Sequence, residues 1–89
     1  METTDKTEIA RGLIDSGKYR KAIDYLTGLL SENGSKHTAL ILRGYAYFCT
    51  AEIEKAIADL THAIEINHKA DLAFWYLSEI FLQKTEYDK

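Results

Sequence analysis

The feature that most constrains how this chain can fold is a repeat in the sequence with a period of 34 residues. Shifted by one period, residues 21–23 fall on residues 55–57, and both segments are Lys-Ala-Ile. One column of the alignment holds only small residues, whereas its neighbours hold large apolar ones; its members are Ala10, Gly44 and Ser78. Such periods mark supersecondary units that stack on one another. We therefore expect the chain to contain about two and a half copies of one helical hairpin.

Apolar residues recur at helical spacing in five segments that are separated by turn residues. Ile9 and Leu13 share the first helical face, Gly17 ends that helix, and a turn cluster at 31–35 ends the second. The predicted helices cover residues 4–16, 19–31, 37–49, 53–66 and 71–83, and residues 84–89 are predicted to turn and restart as residues 16–21 do. We therefore expect a single domain, residues 1–89, with repeats at 3–36 and 37–70 and a partial repeat at 71–89.

Composition narrows the class of protein further. The chain has no proline and five glycines, which suits long helices with short turns better than a β-sandwich. Its net charge of −3, with no long basic run, speaks against binding to nucleic acid or to a membrane. The single Cys49 excludes an internal disulfide, and no segment resembles a signal peptide or reaches the ~20 apolar residues of a membrane span. These features predict a cytoplasmic protein.

The sequence offers no residue pattern typical of catalysis. The three histidines (His37, His62 and His68) include no pair at the four-residue spacing that metal-binding helices use. Cys49 has no histidine near it in sequence, so we expect a half-buried thiol at a helix end, and no Gly-rich phosphate loop occurs. The prediction is therefore no catalytic residue, no metal, no cofactor and no enzymatic activity.

The repeat resembles the tetratricopeptide repeat, a helix–turn–helix module with the pattern W-x2-L-G-x2-Y … A-x3-F … P. In the second unit, the residues at these positions are Leu40, Arg43, Gly44, Tyr47, Ala56 and Leu60. In the first unit they are Lys6, Ile9, Ala10, Leu13, Ala22 and Leu26, and in the third Phe74, Leu77, Ser78 and Phe81. The resemblance covers essentially the whole chain, although the closing proline is missing and Arg43 stands where leucine is usual.

The resemblance implies an all-α fold in which antiparallel helix hairpins, about five helices in all, stack into a right-handed superhelix (an α-solenoid). The first helix of each unit would line a concave groove, and the second helices would form the convex back. Members of the family bind peptides or helices of other proteins in this groove, and the repeat itself is not catalytic. The expected function is therefore a protein–protein interaction scaffold or adaptor that binds a peptide or an amphipathic helix.

A subgroup of the family grips the C-terminal carboxylate of chaperone tails with a clamp of basic and Asn side chains. Carried over by position, this clamp falls on residues of which one alone, Arg11, offers a useful polar group; the set is Thr7, Arg11, Leu42, Leu72 and Tyr76. A hydrophobic segment or an amphipathic helix is therefore a better expected ligand than a chaperone tail.

A helical wheel at 100° per residue separates the core face of each first helix from its groove face. The columns that flank the small residues are expected in the core, and they are Lys6, Leu40 and Phe74 with Leu13, Tyr47 and Phe81. Residues turned the other way form the expected partner-binding site, and they are Arg11, Ile41, Tyr45, Leu72, Trp75 and Glu79. For Ile41 and Trp75, burial between neighbouring first helices is the alternative.

The last predicted helix is apolar on nearly all sides, although terminal repeats normally present a polar outer face. Two explanations stay open: the chain is a piece of a longer array, or a homodimer forms through this C-terminal helix. Two other functions are alternatives to the scaffold. One is a helical-repeat RNA-binding module, against which the acidic balance and the aromatic groove speak. The other is a self-association module of a larger repeat protein.

Overall fold

The computed structural model describes residues 6–31 and 36–87, which form five α-helices and contain no β-strand. The helices are α1 (Lys6–Asp15), α2 (Tyr19–Leu30), α3 (Lys36–Cys49), α4 (Ile53–Ile66) and α5 (Asp71–Tyr87). The prediction of an all-helical chain with five helices is confirmed. The predicted helix start at residue 4, the turn residues 32–35 and the last two residues of the chain lie outside the described residues.

The α1–α2 and α3–α4 turns have the same backbone structure. The amide that follows Gly17 donates to the carbonyl of Leu13 (2.8 Å), and the amide that follows Ala51 donates to the carbonyl of Tyr47 (2.9 Å). This pattern closes a helix through one residue in the left-handed region, where Gly17 has φ 79° and Ala51 has φ 65°. The two residues are one period apart, so the repeat in sequence is also a repeat in turn geometry.

The predicted end of the fifth helix at residue 83 is wrong, because α5 continues to Tyr87. The residue one period after Ala51 is Thr85, and a β-branched residue strongly disfavours the left-handed conformation that this turn requires. The backbone therefore continues as a helix where α1 and α3 turn.

An open cavity of about 460 Å³ lies between the last turns of α5 and the α3–α4 turn. An ion pair between Lys84 Nζ and Glu54 Oε2 (3.0 Å) joins α5 to α4 beside it. The cavity is lined by Phe48, Ala51, Ile53, Glu54, Ile80, Gln83 and Lys84.

The helices pack in sequence order along an elongated molecule of 53 × 28 × 19 Å. Helix α3 contacts every other helix, α1 contacts α2 and α3, and α4 contacts α3 and α5. Within the described residues, neither α1 nor α2 contacts α4 or α5. The core accordingly divides into two clusters, one around Leu26 between α1, α2 and α3, and one around Leu60 between α3, α4 and α5.

A close contact between α3 and α4 is centred on Gly44 in α3. A Cβ atom added there would lie 2.8 Å from Cγ of Leu60 and 3.4 Å from the carbonyl oxygen of Ala56, both in α4. This confirms the prediction that Gly44 and Ala56 mark the place where the two helices of the second hairpin approach each other. Ala10, the equivalent residue of α1, is fully buried, whereas Ser78 of α5 is exposed.

The residues predicted to lie in the core are buried or half-buried in the second unit but exposed in the third. Leu40 is buried, and Tyr47 is half-buried, as is Leu13 in the first unit. The core prediction is wrong for Phe74 and Phe81, which are 48% and 50% exposed, and also for Lys6, which is exposed. In α3 this face lies under α4, but no described helix covers it in α5; Lys6 is the first residue of α1.

A partly buried ion pair joins the two helices of the second hairpin. Arg43 of α3 donates from Nε and Nη2 to the two carboxylate oxygens of Asp59 in α4, at 2.7 and 2.8 Å. Its Nη1 also donates to Oγ1 of Thr27 in α2 (3.1 Å), so one guanidinium connects three helices. The hydrogen bonds that Arg43 donates to Asp59 raise the pKa of Arg43 above its ordinary value. Arg43, which departs from the repeat pattern, is thus a packing residue of this fold.

Candidate functional site

Aromatic residues from α3 and α5 meet on the side of the molecule where these two helices contact each other. The rings of Tyr45 and Tyr76 stack with centroids 4.9 Å apart and planes tilted by 31°. Trp75 adjoins this pair, with its ring centroid 5.3 Å from that of Tyr76. Tyr45 and Tyr76 are half-buried and Trp75 is 57% exposed, so the cluster has both a packed base and an open surface.

A second part of the cluster surrounds Cys49 at the end of α3. The phenols of Tyr45, one turn earlier, and of Tyr19, at the start of α2, lie near enough to this thiol to interact with it. These contacts raise the pKa of Tyr19, and they raise the pKa of Tyr45 to about 12. Both phenols therefore stay neutral at physiological pH and keep their protons for hydrogen bonding.

Arg11 of α1 supplies positive charge to the same region. Burial raises the pKa of Tyr76, and the positive charge of Arg11 acts in the opposite direction, so Arg11 lies within electrostatic range of this phenol. Nε of Arg11 also lies 4.0 Å from a carboxylate oxygen of Glu8, an exposed and therefore weak ion pair. We call the surface formed by these residues the tyrosine surface; its members are Arg11, Tyr19, Tyr45, Cys49 and Tyr76.

The structure places the six predicted site residues in different environments. Arg11 and Tyr45 belong to the tyrosine surface, and Leu72 (45% exposed) and Trp75 lie exposed on α5. Glu79 is half-buried on the same helix. Ile41 is only 7% exposed and packs in the core cluster around Leu60, which leaves a partner almost none of its side chain to contact.

Three residues of the tyrosine surface, Tyr19, Cys49 and Tyr76, were not among the six predicted site residues. Tyr76, rather than its neighbour Trp75, stacks on Tyr45, and Tyr19 reaches Cys49 from the start of α2. Tyr76 does occupy one of the clamp positions of the tetratricopeptide pattern, so position in the repeat was a signal for it. Nothing in the periodicity indicated Tyr19, because its contact depends on how the α1–α2 turn packs against the end of α3.

The surface combines apolar and hydrogen-bonding groups. Ring faces supply apolar contact, phenol hydroxyls and one guanidinium supply hydrogen bonds, and the packed base holds the rings in place. Within the described residues, no group of three His, Cys, Asp or Glu side chains is placed to hold a metal ion. In the same part of the chain, no helix is long and apolar enough to cross a membrane.

Comparison of the chain with family models, with curated proteins and with solved structures finds no match in any of the three.

Proposed function

We propose that this protein is a non-catalytic interaction scaffold of the tetratricopeptide type, located in the cytoplasm, which binds a peptide or an amphipathic helix of another protein. The binding site is the tyrosine surface together with Leu72, Trp75 and Glu79 on α5. The observation that carries the proposal is the stack of Tyr45 on Tyr76, with the exposed Trp75 beside it. Binding energy in protein interfaces is concentrated in such rigid aromatic residues, which bury large areas at low entropic cost.

The order of helix contacts supports a repeat architecture for this scaffold. Each described helix contacts only helices near it in the chain, and the turns after α1 and α3 share one geometry. Continued regularly, this arrangement gives the right-handed superhelix of the tetratricopeptide family, with α1, α3 and α5 along its inner side. The contacts of α1 with α3 and of α3 with α5 agree with that placement.

The charges at the two ends of the site define the ligand more closely. Arg11 lies on α1 and Glu79 on α5, with the tyrosine rings between them. Electrostatic complementarity therefore favours a ligand with apolar or aromatic side chains in the middle, an acidic group at the α1 end and a basic group at the α5 end. Such charges mainly fix the orientation and the rate of binding, whereas the rings supply most of the affinity.

The proposal is tested by selecting ligands from a peptide library and titrating the best one against variants. Leu72→Ala should weaken binding about three- to tenfold, because it removes exposed apolar contact area. The control is Ile66→Ala, which removes an equally exposed side chain (47%) from α4, away from the site. Arg11→Glu should weaken binding of a peptide with an acidic end and be compensated by a peptide with a basic one.

Two outcomes would contradict the scaffold proposal. One is a selected peptide whose affinity is unchanged by Leu72→Ala and Arg11→Glu but falls with Ile66→Ala. The other is a gel shift with mixed RNA that is sensitive to the same site variants, which would favour the RNA-binding alternative. Tyr45→Ala is a poorer probe than Leu72→Ala, because Tyr45 also packs against the core and its loss would reduce stability.

A further inference from the structure

The outer face of α5, the face turned away from the core, carries two rows of large apolar side chains with a small residue between them. At 100° per residue, Phe74 and Phe81 lie on one side of Ser78, and Trp75 and Leu82 lie on the other. All four large side chains are exposed, by 48%, 50%, 57% and 60% for Phe74, Phe81, Trp75 and Leu82. We call this set of five residues the outer face of α5.

The internal repeat indicates what kind of structure covers this face. Ser78 is one period after Gly44 and two periods after Ala10. Ala10 is fully buried in the core of the first hairpin, and Gly44 lies against Leu60 and the backbone of α4. The outer face of α5 is thus the face on which α1 and α3 receive a second helix, with a small residue at the point of closest approach. Its shape fits a helix better than an extended strand or a small molecule.

The pattern of the outer face is symmetric about Ser78, so the face can pair with a copy of itself. A two-fold axis through Ser78 that runs the two α5 helices antiparallel brings Phe74 of one copy against Phe81 of the other. The same operation brings Trp75 of one copy against Leu82 of the other. The two Ser78 residues meet at the axis, where small side chains let the helices approach closely.

Charge decides between the antiparallel and the parallel pairing. Asp71 lies on the same row as Ser78, two turns earlier, and is exposed. A parallel pair would set the two Asp71 carboxylates against each other, and like charges across an interface are strongly unfavourable. An antiparallel pair separates them by about 21 Å along the helices, at 1.5 Å per residue.

The area of the outer face is sufficient for a specific interface. The four large side chains expose roughly 450 Å² per copy at the areas usual for such residues. Two copies, together with the residues between the rows, bury about 1,000 Å², where specific interfaces begin.

We propose that the protein forms a homodimer in which the two α5 helices pack antiparallel about Ser78. Of the five residues of the outer face, Trp75 alone also belongs to the proposed peptide-binding site. The dimer is argued from the pattern about Ser78 and does not depend on a bound peptide.

The first test is the molar mass in solution, measured by sedimentation equilibrium across a concentration series. Wild-type protein should show a concentration-dependent dimer. Ser78→Glu should raise the dimer dissociation constant at least about tenfold, because it places two carboxylates at the axis. Ser78 is exposed, so this variant should keep the helical circular dichroism of the wild type. The control, Thr61→Glu, makes the same charge change on the exposed side of α4 and should leave the dimer intact.

A cross-linking test then checks the antiparallel register. In a Cys49→Ser background, Ser78→Cys should form an intermolecular disulfide in mild oxidant, since the axis brings the two positions within bonding range. Asp71→Cys in the same background should not, because its two copies lie far apart in the antiparallel pair. A monomer at every concentration, or a dimer indifferent to Ser78→Glu, would overturn the proposal. Cross-linking at position 71 would overturn the antiparallel arrangement.

Discussion

Ala51 adopts a backbone conformation that residues with a side chain seldom occupy, with φ at 65°. In the equivalent turn the chain has Gly17, for which the same conformation carries no steric cost. The left-handed region costs an alanine about 1 kcal/mol. The two turns therefore have the same hydrogen bonds and different residual strain.

Ala51→Gly should accordingly stabilise the protein, by up to about 0.5 kcal/mol, because the strain is relieved and only part of the gain is lost to the flexibility of glycine in the unfolded chain. Gly17→Ala should destabilise it by a similar amount. The measurement is urea unfolding of each variant followed by circular dichroism. An Ala51→Gly variant less stable than the wild type would mean that this turn carries no strain.

At the scale of single residues, the sequence predicts where small residues let helices approach better than it predicts unusual backbone dihedral angles. The column of Ala10, Gly44 and Ser78 indicated where helices approach, and Gly44 does lie against Leu60. The repeat also aligned Ala51 with Gly17, but an alanine gives no signal of a positive φ. The sequence allowed Ile41 to lie either in the groove or buried between helices. It is buried because α3 packs against its neighbours there.

At the scale of helices, the Arg43–Asp59 pair is the feature that sequence patterns missed. The two residues lie 16 positions apart, and their meeting depends on the register of α3 on α4. Asp59 is 7% exposed, so a charge left there without its partner would lose most of its hydration. Removing one member of the pair should therefore destabilise the fold, whereas replacing both members with apolar residues should not.

Asp59→Ala should destabilise the protein by about 3 kcal/mol, because it leaves the guanidinium of Arg43 partly buried and without its carboxylate. The double variant Arg43→Leu/Asp59→Leu should recover most of that loss, since it places an apolar residue at position 43, as at the equivalent positions Ile9 and Leu77, and removes both charges. Arg20→Ala, which breaks an exposed ion pair with Glu52, should cost less than about 1 kcal/mol. Chemical denaturation measures all three, and a double variant weaker than Asp59→Ala would contradict the argument.

The junction between the first two hairpins depends on pH through Glu52. The hydroxyl of Thr50 donates to its carboxylate (2.7 Å), as do Arg20 of α2 and Nζ of Lys55 (3.2 Å). These contacts lower the pKa of Glu52 from 4.5 to about 2. Because the folded pKa lies below the unfolded one, ionised Glu52 stabilises the fold above pH 4.5 and loses that effect as the pH falls towards 2.

The difference in unfolding free energy between the wild type and Glu52→Gln should therefore be constant above about pH 5.5 and shrink as the pH falls through the range from 4.5 to about 2. Urea unfolding at a series of pH values measures it. Arg20→Ala should flatten the pH dependence of the otherwise wild-type protein, because it removes one of the cations that hold the carboxylate ionised. A difference that does not change with pH would show that Glu52 is not held by these contacts.

The sequence predicts the presence of each helix better than it predicts where each helix ends. Apolar periodicity and the 34-residue period located all five helices, because both follow from burying one face of each helix. The predicted end of α5 at residue 83 is wrong because the repeat aligns Thr85 with Gly17, whose left-handed conformation a β-branched residue strongly disfavours. The outer face of α5 was apolar in sequence, but only the structure shows that it is exposed, with Ser78 at its centre.

At the scale of the whole molecule, the order of helix contacts makes stability uneven along the chain. Helix α3 packs against every other helix, whereas α1 contacts only α2 and α3 and contributes two fully packed residues, Ala10 and Ile14. In proteins built from stacked units, an edge unit can open while its neighbours stay folded. The chain should therefore unfold locally from α1 before it unfolds globally through α3.

Native-state hydrogen exchange should accordingly show the fastest helical amides in α1 and the slowest in α3. Gly12→Ala tests the coupling, because a Cβ at this position of α1 meets nothing within 4 Å and adds helix propensity worth about 0.8–1 kcal/mol. If α1 opens alone, this variant should slow exchange in α1 about four- to fivefold and leave the amides that exchange by other local openings in α4 unchanged. Equal slowing of α1, α3 and α4 would instead mean that the five helices open as one cooperative unit. The tyrosine surface, which needs Arg11 from α1, would then be as persistent as the core beneath it.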